Sequence, residues 1–95
     1  MMIMRTNRTG GVYRLTSVGP EDLSGIGVLT QVQFGEKVMC LDHRIADISQ
    51  RWFNWQMKNM PIQQAFDNLT PGEREFLITG ITPEEWERLF SETEE

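Results

Sequence analysis

The chain has a single cysteine, a single histidine and no long apolar run. One cysteine, Cys40, excludes an internal disulfide and any metal site built from several cysteines, and it fits a reducing compartment. No apolar stretch approaches the roughly 18–20 residues of a membrane span. Met1 to Met4 is too short for the apolar part of a signal peptide. These absences predict a cytoplasmic protein with no membrane contact.

Motifs that carry catalysis are also missing. His43 lies beside Asp42 and three residues after Cys40, but no second histidine or cysteine completes a site. We expect Cys40 to be a buried residue of a strand and His43 to lie on the surface. No glycine-rich phosphate loop or nucleophile elbow is present. The carboxylates of Glu73 and Glu85 are explained by helix capping rather than by acid–base chemistry. We therefore predict no catalytic residue, no cofactor and no metal, and so a protein that is not an enzyme.

Charge is spread unevenly along the chain. With 95 residues the protein is one small domain, and its net charge of −5 argues against a general polyanion binder. Residues 1–20 hold three arginines and no acid, whereas residues 70–95 hold two arginines and eight glutamates. The sequence predicts a basic N-terminal end and an acidic C-terminal end.

The N-terminal half has the pattern of strands. Residues 1–11 are polar and end in two glycines, so we expect a flexible basic arm. Val12 to Val18 is rich in β-forming residues and alternates imperfectly. Gly27 to Phe34 and Val38 to Leu41 flank a short loop that contains Gly35, which predicts a β-hairpin. An isolated hairpin is marginally stable, so it must pack on helices or on the first strand.

A longer helix is predicted over residues 43–59, with Asp42 as its N-cap. Apolar residues recur there at helical spacing. This stripe comprises Ile45, Ile48, Trp52 and Trp55, and Phe53 and Met57 are further candidates for it. Phe53 points about 100° away from the stripe, so one narrow face cannot bury every aromatic side chain. Either the helix is buried on two faces, or it exposes one aromatic side chain, Trp55 or Phe53, together with Met57 or Met60 as an anchor for a partner protein.

Three short helices follow, each with proline in its first turn. They cover residues 61–68, 71–79 and 83–90, and the last is expected to point Trp86, Leu89 and Phe90 inward. The second begins with the capping box of Thr70 and Glu73, and the third with that of Thr82 and Glu85. Gly80 is the expected stop between them.

Together these elements predict an α+β fold. An N-terminal β-hairpin or three-stranded antiparallel sheet packs on one longer helix and three short C-terminal helices. We expect one domain over residues 1–95. Its parts are a flexible basic arm (1–11), a β-rich part (12–41), a helical part (42–90) and an acidic tail (91–95).

Residues 62–86 carry the most specific motif in the chain. They read IQQAFDNLTPGEREFLITGITPEEW and fit the form I-Q-x-A-F-x-x-L-x-x-x-E-R-E-F-L-x-T-G-I-T-P-E-E-W. In this motif the chain resembles the C-terminal part of small uncharacterised bacteriophage and prophage proteins. The resemblance implies a phage or mobile-element origin, and so the cytoplasm of an infected or lysogenic bacterial host. It does not cover residues 1–58 and implies no functional residue.

The function predicted from these features is that of a small phage-type interaction protein. It would bind and modulate a host or phage protein, for example as a defence inhibitor. The acidic helical end is expected to meet a basic partner surface. The residues predicted to bind the partner there are Glu84, Glu85 and Glu87.

Two alternatives stay open. The chain is instead a nucleic-acid-binding protein if its basic arm contacts phosphates and Tyr13 stacks on a base. The arm residues for that role are Arg5, Arg8, Tyr13 and Arg14. The third reading is a virion or assembly component, a homo-oligomer in which the arm or a strand edge pairs with a neighbouring subunit.

Overall fold

Four strands precede four helices in the part of the chain that the structure describes. A computed structural model describes the backbone of residues 1–93 and the side chains of residues 1–89. The strands are β1 (Met2–Thr6), β2 (Val12–Glu21), β3 (Gly27–Phe34) and β4 (Lys37–Leu41). The helices are α1 (Ile45–Met57), α2 (Ile62–Ala65), α3 (Pro71–Thr79) and α4 (Pro83–Thr93). The α+β prediction is confirmed. No described helix has both the length and the apolar character of a transmembrane span.

The strands form one antiparallel sheet in the order β1-β2-β3-β4. In the register, Leu15 of β2 lies opposite both Ile3 of β1 and Val32 of β3. Leu15 and Val32 are fully buried, as is Tyr13 two residues before Leu15. Because side chains alternate along a strand, one face of the sheet meets the helices and the other is open. The predicted hairpin is β3–β4, joined by a tight turn in which Gly35 has a φ of 62°.

The prediction of a flexible arm over residues 1–11 is wrong, because these residues form β1 and the turn into β2. The backbone nitrogen of Asn7 donates to the carbonyl oxygen of Gly11 at 3.0 Å. The Asn7 side-chain oxygen accepts from the backbone nitrogens of Thr9 and Gly11 at 3.1 and 2.8 Å. Gly10, with a φ of 87°, completes a short hairpin loop. The strand itself is too short for its own pattern to predict it, and pairing with β2 decides its conformation.

The stripe predicted on the long helix is the core-facing side of α1. Its four members are Ile45, Ile48, Trp52 and Trp55, and all are buried. The prediction that Asp42 caps this helix is wrong, because Arg44 occupies the N-cap position and makes no side-chain cap bond. The chain before the helix is held differently: the Thr30 hydroxyl donates to the carbonyl oxygen of His43 at 2.6 Å.

Both predicted capping boxes are confirmed. The backbone nitrogen of Glu73 donates to the Thr70 hydroxyl at 3.2 Å, and the Thr70 nitrogen donates to the Glu73 carboxylate at 2.8 Å. The same reciprocal pair joins Thr82 and Glu85, with both bonds at 3.2 Å. Gly80 ends α3 in the left-handed conformation, as predicted.

The C-terminal end departs from the prediction in two ways. α4 continues to Thr93, so the acidic tail predicted from residue 91 is helical over its first three residues, and Glu94 and Glu95 lie outside the described residues. Of the side chains expected to point inward, Trp86 is half-buried and Leu89 is exposed. The third, Phe90, lies outside the described side chains.

Candidate functional site

A second row of α1 side chains lies beside β1, the edge strand of the sheet. These residues follow helical spacing and are rotated away from the core-facing stripe. The row comprises Ala46, Ser49, Gln50, Phe53, Gln56 and Met57. Phe53 is 47% exposed and Met57 is 72% exposed, so the two largest apolar members of the row face solvent. α1 therefore packs into the core with one side and faces solvent beside β1 with the other.

A groove separates this row from β1. It has a volume of about 830 Å³, and its strand side is lined by Ile3, Arg5 and Thr6 together with Met1 and Met4. Its described lining residues include no aspartate or glutamate. In a chain with fourteen acidic and nine basic side chains, this gives the groove a local charge opposite to that of the whole protein.

Arg5 is the charged group of the groove. Its guanidinium donates to the Ser49 hydroxyl at 2.8 Å and to the carbonyl oxygen of Met4 at 3.0 Å. Among the residues described, the ion pairs belong to Lys37, Arg44 and Arg51, and no carboxylate pairs with Arg5. The half-buried guanidinium therefore lies beside apolar side chains without a counterion among the described residues.

The main chain of β1 offers hydrogen-bonding groups to the same groove. At its two ends the bonds to β2 are made by Met1 and Asn7. The alternation of an antiparallel ladder then directs the backbone groups of Met2, Met4 and Thr6 away from β2, toward the free edge. This follows from the position of β1 at the end of the sheet.

Side chains already occupy part of this edge. The Thr6 carbonyl accepts from the indole nitrogen of Trp52 at 2.8 Å, and the Met4 carbonyl accepts from Arg5. The N–H groups of Met2 and Met4 and the carbonyl of Met2 face the edge, where β1 has no neighbouring strand. In addition, the buried side-chain nitrogen of Gln56 has no hydrogen-bond partner within the described residues.

The nucleic-acid prediction is wrong for Tyr13. Its ring is fully buried and lies 5.3 Å from that of Trp52 between centroids, so it cannot stack on a base. The Tyr13 hydroxyl donates to the carbonyl oxygen of Phe76 at 2.8 Å. Burial raises the pKa of Tyr13 to about 12, and the hydrogen bond from Asn7 opposes that rise.

The three predicted arginines do not form one mobile basic surface. Arg5 lies in the groove, and Arg8 donates to the carbonyl of Trp55 at 3.2 Å and to the side-chain oxygen of Asn59 at 2.7 Å. Arg14 is exposed on the open face of the sheet, opposite Met4 in the register. The sheet and α1 therefore hold two of these side chains in fixed positions.

The structure separates the two candidate aromatic anchors. Trp55 is only 6% exposed and packs edge-on against Trp52 and Phe66, so its assignment as an exposed anchor is wrong. Phe53 is the exposed aromatic of the pair. The spacing of the two residues in the sequence already shows that they point in different directions from the helix. In the structure Trp55 faces the core and Phe53 faces the groove.

The three glutamates predicted to bind a partner at the acidic helical end differ in their contacts and in their exposure. Glu85 is bound within its capping box and pairs with Lys37 at 3.1 Å. The backbone of Thr82 and the ammonium of Lys37 lower the pKa of Glu85. Glu84 and Glu87 are exposed. Of the three, Glu84 and Glu87 offer carboxylates that no hydrogen bond or ion pair among the described residues uses.

Cys40 is exposed on the open face of the sheet, which corrects the expectation of a buried strand cysteine. The described residues include no group of three or more histidine, cysteine, aspartate or glutamate side chains able to hold a metal ion. The sequence alone does not place Arg5 in a groove or connect Met57 with β1. The second helical row of α1 is visible in the sequence. It indicates a groove only once β1 is known to be the edge strand beside it.

Comparison with protein-family models, with curated proteins and with solved structures found no match for this chain.

Proposed function

We propose that the chain is a non-enzymatic protein-interaction module and that the groove between β1 and α1 is its docking surface. The observation that carries this proposal is the exposure of Phe53 and Met57 beside the free edge of a strand. An aromatic and a flexible thioether side chain over an open groove are typical of protein-binding anchors. Neither residue contributes to the buried core, so stability of the fold does not explain their apolar character.

The occupant that the charges favour is a segment of another protein with a carboxylate next to an apolar side chain. Arg5 supplies an uncompensated guanidinium, which pairs with carboxylates in a two-pronged geometry. A second copy of this chain is a poorer occupant, because a two-fold axis at the β1 edge would bring one Arg5 close to the other.

The motif shared with phage and prophage proteins gives this proposal a biological setting. In that setting the chain binds and modulates a host or phage protein in the bacterial cytoplasm, and inhibition of a defence protein is one such role. Glu84 and Glu87 supply a second surface for a basic part of the partner. The nucleic-acid alternative has lost its stacking residue, since Tyr13 is buried.

A selection from displayed random peptides, each long enough to span β1, tests the proposal. The purified chain alone serves as bait, and the affinity of each selected peptide is then measured for the double variant Phe53→Ser with Met57→Ser. Both side chains are exposed, so the variant should keep the circular dichroism spectrum and the melting temperature of the parent. We expect selected peptides to lose at least about tenfold in affinity for this variant, as happens when interface anchors are truncated.

The matched control is the double variant Glu84→Gln with Glu87→Gln, which removes exposed charge at the other end of the molecule. Groove-binding peptides should bind it as they bind the parent. Peptides that bind the Phe53 and Met57 variant equally well, or that lose affinity only for the glutamine variant, would move the docking surface from the groove to the acidic end.

A further inference from the structure

We infer that the groove receives its partner as an extended strand that pairs with the free edge of β1 and places a carboxylate on Arg5. This inference rests on the proposed function and specifies the binding mode and the chemistry of the partner. Strand addition is a common way for a sheet edge to bind a peptide, because the main chain supplies affinity and alternate side chains supply specificity.

The unpaired backbone groups of β1 fit a short antiparallel strand. Met2 directs both its N–H and its carbonyl to the edge, and Met4 directs its N–H there. A residue opposite Met2 exchanges two hydrogen bonds with it, as in any hydrogen-bonded antiparallel pair. Toward Thr6 the edge is closed, because Trp52 already occupies that carbonyl.

Arg5 makes one set of contacts in the unbound protein and another when a strand is bound at the edge of β1. Without a partner, its guanidinium covers the carbonyl of Met4. When a carboxylate of the incoming strand takes the guanidinium, the Met4 carbonyl becomes free to accept an N–H from that strand. Every hydrogen bond that is broken is replaced by one to the partner, and the charge of Arg5 gains a counterion in a half-buried site. In the unbound protein the same contact blocks pairing between edges.

Pairing with the edge of β1 and a carboxylate for Arg5 together define a sequence pattern for the partner. Ile3 and Arg5 lie on the same face of β1, which is the face toward α1. Side chains two residues apart on the added strand lie on that face too. One of them must be acidic to meet Arg5, and its neighbour two residues away must be apolar to pack on Phe53 and Met57.

The blocked peptide TLTETLT serves as a probe, because leucine lies two residues from glutamate in both directions. Its threonine amides face β1 in the proposed pairing, whereas its leucine amides face away. Titration of this peptide into the ¹⁵N-labelled protein should shift the backbone amide signals of Met2 and Met4 and slow their hydrogen exchange. The amides of Ile3 and Arg5 already bond to β2, so their exchange should change little.

Two pairs of controls isolate the proposed contacts. Methylation of the threonine backbone nitrogens should abolish binding, whereas methylation of the leucine nitrogens should leave it within about twofold. The peptide TLTQTLT and the variant Arg5→Gln should each weaken binding at least about tenfold, and the two changes together should cost little more than one alone.

Other results overturn the strand-addition mode. Signal changes at Phe53 and Met57 without protection of Met2 and Met4 would leave the groove as a docking surface but exclude strand pairing. The same conclusion follows if displayed peptides bind the groove while TLTETLT does not. If Arg5→Gln makes the protein self-associate and leaves peptide binding unchanged, Arg5 serves only to protect the edge.

Discussion

The indole nitrogen of Trp52 donates a 2.8 Å hydrogen bond to the carbonyl oxygen of Thr6, which lies 46 residues earlier in the chain. Trp52 is only 1% exposed, and Thr6 is the last residue of β1. The bond therefore anchors the edge strand to α1 and closes one end of the groove. It also explains why the edge strand is held in place although its sequence signal is weak.

Replacement of Trp52 by phenylalanine should destabilise the protein by about 1–3 kcal/mol from the unpaired Thr6 carbonyl, with a further loss from the missing ring volume. Urea unfolding measures the change. Trp55→Phe is the matched control, because Trp55 is also buried and makes no bond to Thr6. Equal losses for the two variants would show that the hydrogen bond to β1 contributes nothing.

Tyr13 should make the protein lose stability in alkali. It is the only tyrosine, and its pKa rises from 10.0 to about 12 in the folded chain because of burial. A group that holds its proton more tightly when folded stabilises the protein fully below its unfolded pKa. That stabilisation disappears as the pH rises from about 10 through about 12.

Spectrophotometric titration of the tyrosinate band checks this directly, since no other tyrosine contributes. We expect a midpoint near 12 in the folded protein, or at the point of alkaline unfolding, against 10.0 in denaturant. Tyr13→Phe should remove the alkaline loss of stability. A midpoint that is the same with and without denaturant would contradict the buried position of the phenol.

Gly35 and Gly80 both have a positive φ. Alanine variants at the two positions therefore distinguish the cost of backbone strain from the cost of a steric clash. A Cβ on Gly80 would lie 2.6 Å from the ring of Phe34, whereas a Cβ on Gly35 would meet nothing within 4 Å. Gly35→Ala should cost about 1–2 kcal/mol in unfolding free energy, the price of a left-handed alanine. Gly80→Ala should cost about 1–3 kcal/mol more because of the clash.

The shorter side chain in Phe34→Leu should recover part of the loss caused by Gly80→Ala and none of that caused by Gly35→Ala. Unfolding free energies of the single and double variants give the comparison. If both alanine variants lose the same stability, the end of α3 does not press on Phe34.

Asn7 joins the β1–β2 turn to the end of α3. Its side-chain nitrogen donates to the carbonyls of Leu77 and Ile78 at 3.0 and 3.1 Å. Asn7→Asp keeps the shape but directs a carboxylate at these two oxygens, so we expect a loss of about 3 kcal/mol or more. The loss should shrink in acid, where the carboxyl is protonated.

A suitable control for that variant is Asn54→Asp, because the Asn54 side-chain oxygen only accepts a bond from Gln50. This exposed pair should tolerate the change within about 0.5 kcal/mol. Thermal melts at neutral and acidic pH compare the two variants. An equal effect at both positions would mean that Asn7 does not hold α3.

Local chemistry made the helix starts predictable. The bonds of Thr70 with Glu73 and of Thr82 with Glu85 close within four residues, so the sequence contains the whole interaction. The cap at Asp42 failed for the opposite reason. There the path of the chain depends on Thr30, thirteen residues before His43, and no local pattern reports that contact.

The candidate groove was only half predictable. Helical spacing showed that Phe53 and Trp55 point in different directions, but not which direction meets the sheet. That depends on where the sheet ends, and its last strand comes from residues with little strand signal. Tyr13 shows the same limit: alternation placed it on one side of β2, and only packing against Phe76 determines that this side is buried.

The order of the sheet has a consequence for how the protein folds. Each strand pairs with the next one along the chain, so the sheet can form through short loop closures, which are fast. The contacts of Asn7 and Tyr13 with α3 instead span 63–71 residues and close the longest loops at the greatest entropic cost. We therefore expect the four strands to assemble in the folding transition state before α3 docks. Substitutions that remove the contact between Tyr13 and Phe76 would then accelerate unfolding more than they slow folding.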